Sequence, residues 1–246
     1  MRVFVIADLH LSVDTPELLD KFRAFADEIS VEDELYILGD LFNYYVGINP
    51  DDKVHAAVRE INSSIISRGG KVYFIHGNRD FLLNNRDASY FKIQLLKDIS
   101  RVEINGSVIA MVHGDELCDE SLGYRFFRWF SRCGFMQWLF NVCTSYSYRA
   151  EIAMNMRDRS IRNFAAANFV KRMINTDKAV KLMKKIRADV LIHGHTHNAE
   201  EVMIDNQYLI MDTGDWNQRG FSYIKIEYDK VNPENRPSIT IEKRNF

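Results

Sequence analysis

Arg2-Val3-Phe4-Val5-Ile6-Ala7-Asp8-Leu9-His10 is a short β-rich run that stops on a carboxylate and an imidazole two residues apart. The same grammar recurs four times. Residues 34–38 (ELYIL) run into Gly39-Asp40, and residues 71–75 (KVYFI) into Gly77-Asn78-Arg79-Asp80. Residues 107–112 run into His113-Gly114-Asp115, and residues 189–192 (DVLI) into His193-Gly194-His195-Thr196-His197. Short apolar runs bounded by turn residues read as strands. Helical periodicity fills the gaps at 15–29, about 52–67 and 178–187. In the first of these, Pro16 suits the first helical position, and Leu18, Leu19, Phe22, Phe25 and Ala26 share a face. Asn105-Gly106 marks a hairpin between 101–104 and 107–112, and further strand-like runs lie at 200–204, 207–212 and 221–228. Strands alternating with helices predict an α/β layered fold.

Each of the five motifs follows a predicted strand, and strand ends are where ligand sites assemble in α/β sheets. Asp8 with His10, and His195 with His197, have the i, i+2 spacing that lets both side chains turn toward one ion. Carboxylate, imidazole and amide oxygen together suit Mn²⁺, Fe²⁺, Zn²⁺ or Co²⁺. The set contains no cysteine, which argues against a structural zinc site. Two ions about 3.5–4 Å apart clamp a phosphoryl oxygen and acidify a water, and they need a bridging carboxylate. Asp40 is the candidate bridge. Any one motif alone reads as a turn or an ordinary polar pair; the five in order carry the argument. His55 is expected on a helix surface, and His76 and His193 as buried partners that orient ligands or loops.

The rhythm breaks between 120 and 175. This segment has no clear strand and is rich in aromatics, among them Trp129, Phe135 and Trp138. Residues 122–172 carry nine Lys/Arg against two Asp/Glu, a local charge of +7 that leaves −9 for the rest of a chain whose total is −2. The expectation is a basic, apolar helical insertion (120–175) on an acidic core made of 1–119 and 176–246. The alternative is a helix pair packed on its own core. The sequence holds no run of 18 apolar residues, so no transmembrane helix is expected. Residues 1–7 lack the pattern of a signal peptide. Cys118, Cys133 and Cys143 have no paired spacing, which fits a reducing compartment. Asn62-Ser63-Ser64 is read as a chance glycosylation match.

The ordered motifs resemble the calcineurin-like metallophosphoesterase superfamily, whose pattern is Asp-x-His, Gly-Asp, Gly-Asn-His, His and Gly-His-x-His. The resemblance implies a two-sheet α/β sandwich flanked by helices. It implies one metal held by Asp8, His10, Asp40 and His197, and a second held by Asp40, Asn78, His113 and His195. A narrower resemblance rests on residues 6–12 (IADLHLS), 39–42 (GDLF), 77–82 (GNRDFL), 113–118 (HGDELC) and 214–216 (GDW). These are similar to the UDP-2,3-diacylglucosamine pyrophosphatases of lipid A synthesis. That family implies hydrolysis to UMP and lipid X, usually with Mn²⁺, beneath a helical lid that accepts the acyl chains. Its catalytic positions fall on Asp40, Asn78, Arg79 and His113. The implied partners are a UDP-linked glycolipid and the inner-leaflet membrane surface, with no nucleic acid. The implied location is the cytoplasm, peripheral to the inner membrane.

Arg79 stands where many superfamily members have histidine. Histidine there protonates a leaving alkoxide; arginine stays charged and grips phosphate oxygens instead. A diphosphate, whose leaving group needs no proton, is therefore expected. Departures from the narrower family fall at 43–52 (NYYVGINPDD) and on the substrate-binding positions. Ser121 takes the place of an acidic residue, and Phe164 and Ala167 take the places of polar ones. Ser160 matches, and Asn168 and Lys171 lie one turn farther along, in position to substitute. With Asn78, Arg79 and His195, these are the expected substrate contacts. Competing readings are a phosphodiesterase or phosphatase for another nucleotide, and a catalytically weak scaffold that binds a partner through the basic lid.

Overall fold

The structure is a computed structural model that describes residues 1–119, 122–166 and 173–245; for 122, 124, 125, 127 and 157–166 it describes the backbone alone. In chain order the elements are β1 (Arg2–Ile6), α1 (Pro16–Ala26), β2 (Glu34–Ile37), α2 (Lys53–Ser67), β3 (Lys71–Phe74), α3 (Asn85–Tyr90) and β4 (Gln94–Leu95). The hairpin β5 (Ile99–Ile104) and β6 (Ser107–Val112) follows, then a single 3₁₀ turn at Asp115–Leu117. Three consecutive helices come next: α4 (Leu122–Ser131), α5 (Gly134–Cys143) and α6 (Tyr146–Ala166). The chain then continues through α7 (Thr176–Ile186), β7 (Val190–His193), β8 (Glu201–Ile204), β9 (Tyr208–Asp212), β10 (Gly220–Glu227) and β11 (Ser238–Asn245).

The strands form two sheets, β11-β10-β1-β2-β3-β4 and β5-β6-β7-β9-β8. Within them β1-β2-β3-β4 and β6-β7-β9 are parallel, while β10, β11, β5 and β8 pair antiparallel at the flanks. Alternation along the strands builds the layers. In β1, Val3 and Val5 point between the sheets, where they meet Ile109, Met111, Ile192 and Met211. Phe4 and Ile6 point the other way and pack with Phe22 and Phe25 of α1 and Val58 and Ile61 of α2. On the far side, Ala110, Val112 and Leu191 pack under Ala179 and Met183 of α7. Both faces of the parallel strands are therefore buried, which is why their sequences read as unbroken apolar runs. The result is an α/β sandwich of two sheets flanked by helices.

One expectation is corrected. His55 lies on α2, but it is only 4% exposed. Its ring stands 5.1 Å from Phe42 and 5.4 Å from Phe91, and its Nδ1 accepts the Asn49 amide at 3.2 Å. The buried stripe of α2 runs through Val54, Val58, Ile61 and Ile65, and His55 and Asn62 flank it on the same face. Asn62 is likewise buried and donates to the Phe91 carbonyl at 3.0 Å, so its glycosylation match is not at the surface. Among the described residues no helix is long and apolar enough to cross a membrane.

Candidate metal centre

Asp8, Asp40, Asn78, His113 and His195 follow β1, β2, β3, β6 and β7, all at the carboxyl ends of parallel strands. Five loops therefore meet at one rim. Asp8, His10, Asp40, His195 and His197 adopt φ values of +56°, +49°, +51°, +70° and +61°. This left-handed region is sparsely visited by residues with a Cβ and costs about 1 kcal/mol or more at each position. Surrounding hydrogen bonds hold the loops there. The Asp8 amide donates to Gly39 O at 3.2 Å and the His10 amide to Asp40 O at 2.9 Å. The His195 amide donates to Asp8 Oδ2 at 2.6 Å. The loops also pass very close to one another: a Cβ on Gly77 would lie 2.2 Å from Asp40 Oδ1.

The side chains converge as two overlapping groups, Asp8-His10-His197 and Asp8-Asp40-His113. His197 Nε2 is 3.4 Å from both Asp8 Oδ1 and His10 Nε2. Asp40 stands between the groups, with Oδ2 3.9 Å from His10 Nδ1 and Oδ1 3.7 Å from His113 Nε2. Asn78 Oδ1 lies 3.0 Å from both His113 Nε2 and His195 Nδ1. Asp8 belongs to both groups and Asp40 to the second, so the geometry adds Asp8 as a candidate bridge where the sequence suggested only Asp40. Asp8 Oδ1 and His10 Nδ1 are buried without a hydrogen-bond partner. Buried polar groups in that state are costly, and divalent cations would satisfy them. The donor set and these orphaned atoms fit a metal centre.

The electrostatics agree. Burial pushes Asp8 upward, but His197 foremost, then His113 and His10, hold it well below the usual carboxylate range. Asp40 is pushed up to about 7 by burial, reinforced by Asp80 and Asp8 and opposed by His113 and Arg79. His113 resists burial and rises to about 9 because Asp40, Asp8 and Asp115 surround it. Burial and the charge of Arg79 keep His10 well below its ordinary value, hence neutral. Without cations the cluster balances its carboxylates with protons; ligands must shed those protons to bind a metal, so affinity rises with pH.

Some supporting residues lay in the quoted motifs without their role being visible. Asp80 is fully buried and accepts the amides of Asp40, Leu41 and Gly77 at 3.3, 2.8 and 2.8 Å, which ties two site loops together. Asp212 accepts Thr196 Oγ1, the Asn198 amide at 3.2 Å and the Gly214 amide at 2.7 Å, which braces the His195–His197 loop. His76 bonds Leu83 O at 2.7 Å and Asp98 at 3.3 Å, and His193 Nδ1 bonds Gly194 O at 2.8 Å. Both histidines hold loops; His193 is buried, as expected, whereas His76 is half-buried. Arg79 donates its amide to Asp40 Oδ1 at 2.9 Å and keeps its Nε 3.4 Å from Asp40 Oδ2.

Helices α4–α6 join neither sheet and grip the site loops through arginines. Arg128 Nε donates to Asp115 Oδ2 at 2.6 Å. Arg132 reaches Asp98 Oδ2 at 2.5 Å and Gly77 O at 3.3 Å. Arg149 donates to Val46 O at 2.9 Å. Phe140, Tyr146, Ala150 and Ala153 pack on the core, whereas Phe126, Trp129, Phe135 and Trp138 face outward, with Trp129 70% exposed. The described aromatics of α4 and α5 therefore do not make a core of their own. Ser121, Asn168 and Lys171 lie outside the described residues, as does the side chain of Ser160 on α6.

The pattern described as calcineurin-like phosphoesterase matches residues 1–199. The chain is 33% identical over 234 residues to a UDP-2,3-diacylglucosamine hydrolase of Shewanella halifaxensis, covering 94% of this chain and 96% of that one. It is 33% identical over 245 residues to the protein of the same name from Psychromonas ingrahamii, covering 96% and 98%. Among solved structures it is similar to Vps29 from Chaetomium thermophilum, with a TM-score of 0.48 and 13% identity over 100% of this chain and 98% of that one.

Proposed function

The chain belongs to the calcineurin-like phosphoesterase family of metal-dependent phosphoester hydrolases, and on that premise we propose that it cleaves the diphosphate of UDP-2,3-diacylglucosamine, releasing UMP and lipid X. The observation that carries the reading is Arg79, whose guanidinium sits at the rim of the carboxylate–imidazole cluster, 3.4 Å from Asp40. An arginine there supplies fixed positive charge and paired donors to phosphoryl oxygens but no proton. It suits a leaving group that is already a stable phosphate anion. The relatives' name supports the nucleotide-linked lipid.

Asp8, His10, Asp40 and His197 would hold one divalent cation, and Asp40, Asn78, His113 and His195 a second, with Mn²⁺ as the preferred ion. Such cations supply Lewis-acid polarisation of phosphoryl oxygens and a water acidic enough to act as nucleophile near neutral pH. Arg79 stabilises the charge that develops on the phosphoryl group. Asn78 and His195 line the same rim, and Ser121, Ser160, Asn168 and Lys171 are assigned to the sugar–phosphate headgroup. Residues 120–175 form a lid over a core of 1–119 and 176–246. The outward aromatics of α4 and α5 supply a face for the inner-leaflet surface, with the acyl chains beneath the lid. This places the enzyme in the cytoplasm, peripheral to the inner membrane.

The test is a release assay with Mn²⁺ that compares UDP-2,3-diacylglucosamine with acyl-free UDP-N-acetylglucosamine. Strong preference for the acylated substrate is expected. Equal turnover of the two removes the lipid from the proposal, and no turnover of either removes the diphosphate.

A further inference from the structure

Asn43 lies in the run after Gly39-Asp40-Leu41-Phe42 that departs from the narrower family's pattern. It is 8% exposed, and its amide is pinned to Leu11 O at 3.0 Å. Its side chain faces Arg79: Arg79 Nη1 donates to Asn43 Oδ1 at 2.8 Å and approaches Asn43 O at 3.4 Å. The Tyr45 amide donates to Arg79 O at 2.9 Å, so the loop holds both ends of the same arginine. Nε is taken by Asp40 and Nη1 by Asn43. Among the described residues Nη2 hydrogen-bonds to nothing, and the side chain keeps 28% of its surface exposed.

We infer that Asn43 is a positioning residue for Arg79, a neutral acceptor that fixes one edge of the guanidinium and leaves its charge and its Nη2 edge free for a substrate phosphoryl oxygen. The choice of amide matters. A carboxylate at this place would form a charge-assisted pair, stronger than a neutral hydrogen bond, and would compete with phosphate for the same donors. An aliphatic residue would leave Nη1 only the longer approach to the Asn43 carbonyl and would loosen the guanidinium. An amide restrains without neutralising. The assignment also frees Arg79 from sole dependence on Asp40, whose oxygens lie among the candidate metal ligands. It deepens the proposed function and rests on the reading that Arg79 grips phosphate.

The experiment uses the full chain loaded with Mn²⁺. It compares Asn43→Ala, Asn43→Asp, Arg79→Ala and the Asn43→Ala/Arg79→Ala double variant. The readouts are kcat and KM for UDP-2,3-diacylglucosamine and inhibition by inorganic phosphate. Asn43→Ala is expected to raise KM by about tenfold, the scale of one hydrogen bond to a charged group, with a smaller change in kcat. Asn43→Asp keeps the size and the acceptor, so a packing role predicts wild-type behaviour, whereas the positioning role predicts weaker phosphate inhibition. In the Arg79→Ala background, Asn43→Ala should add less than about twofold, because the two act through one group. Full additivity, or wild-type phosphate inhibition in Asn43→Asp, overturns the inference. If Arg79→Ala itself leaves KM and phosphate inhibition unchanged, the phosphate-gripping reading fails and the inference with it. A large Arg79→Ala effect beside silent Asn43 variants overturns the inference alone. Near-isosteric Asn43→Asp keeps the test valid if Asn43→Ala folds poorly.

Discussion

The metal cradle and the helices beside it are built in opposite ways. In the cradle, three of the five loops hold Asp8, His10, Asp40, His195 and His197 in left-handed backbone conformations, and amides on two buried carboxylates, Asp80 and Asp212, brace the loops. In α4–α6 the backbone is regular, and attachment rests on side chains: Arg128, Arg132 and Arg149 reach across to the core. Position in the cradle is thus set by main-chain conformation and main-chain hydrogen bonds. Position of the helices is set by long, charged side chains and by the apolar contacts of Phe140, Tyr146, Ala150 and Ala153 with the core. A site that must fix ligand atoms needs the first kind of construction. The proposed lid would be served by the second.

The sharpest way to break this contrast is to add one methyl group to each region. Gly77→Ala places a Cβ 2.2 Å from Asp40 Oδ1 and 2.3 Å from its amide. Although Gly77 offers no ligand, metal affinity should fall by at least about a hundredfold, the upper end for supporting residues, as measured by titration calorimetry with Mn²⁺. Normal affinity would mean that the cradle can relax.

An intermediate effect is expected at the junction. Asp98 is drawn down to about 2 from 3.8: burial opposes ionisation, but His76 and Arg132 outweigh it. A depressed carboxyl contributes stability that is complete above its ordinary value of 3.8 and is lost as pH falls toward 2. Asp98→Asn should therefore flatten the acid limb of the melting-temperature profile between those values. An acid limb identical to that of the unaltered protein would show that this junction adds nothing to stability.

The smallest effect belongs to Gly134, the first residue of α5, where an added Cβ meets nothing within 4 Å. Gly134→Ala should leave turnover intact and raise stability by at most about 1 kcal/mol in thermal unfolding, through a less flexible unfolded chain. A loss of activity there would mean that the helices are as tightly specified as the cradle.

The same contrast explains what could be read from sequence. The cradle was legible because its candidate ligands sit at fixed offsets from apolar runs: Asp8 after Ile6, His113 after Val112. Its bracing was not. Asp80 lay inside a quoted motif, but nothing in the letters says that its oxygens accept amides from two different loops. Asp8 as a second possible bridge needed three-dimensional distances. His55 was misplaced because helical periodicity marks a stripe by its apolar residues, and a histidine flanking the stripe is counted as polar. Helix α3 and strand β4 are too short for periodicity to register. Strand β11 alternates but is largely exposed, and only its register with β10 makes it a strand. The helical segment was legible by composition alone, which gives charge and helicity but not which aromatics face outward.

The order of the first sheet has a consequence for how the protein is made. Strand β1, which delivers Asp8, sits between β2 and β10, and Arg2 pairs with Glu227. One neighbour emerges from the ribosome soon after β1; the other emerges only after β2 to β9 have been translated. Until then β1 presents a bare edge of unpaired amides and carbonyls, a template for wrong pairing. His195 and His197 also arrive late, after the Asp8-Asp40-His113 group has been translated. Closure of this long-range pairing is expected to be slow, in keeping with non-local topologies. The ligand set becomes complete close to the moment when the sheet that supports it loses its exposed edge.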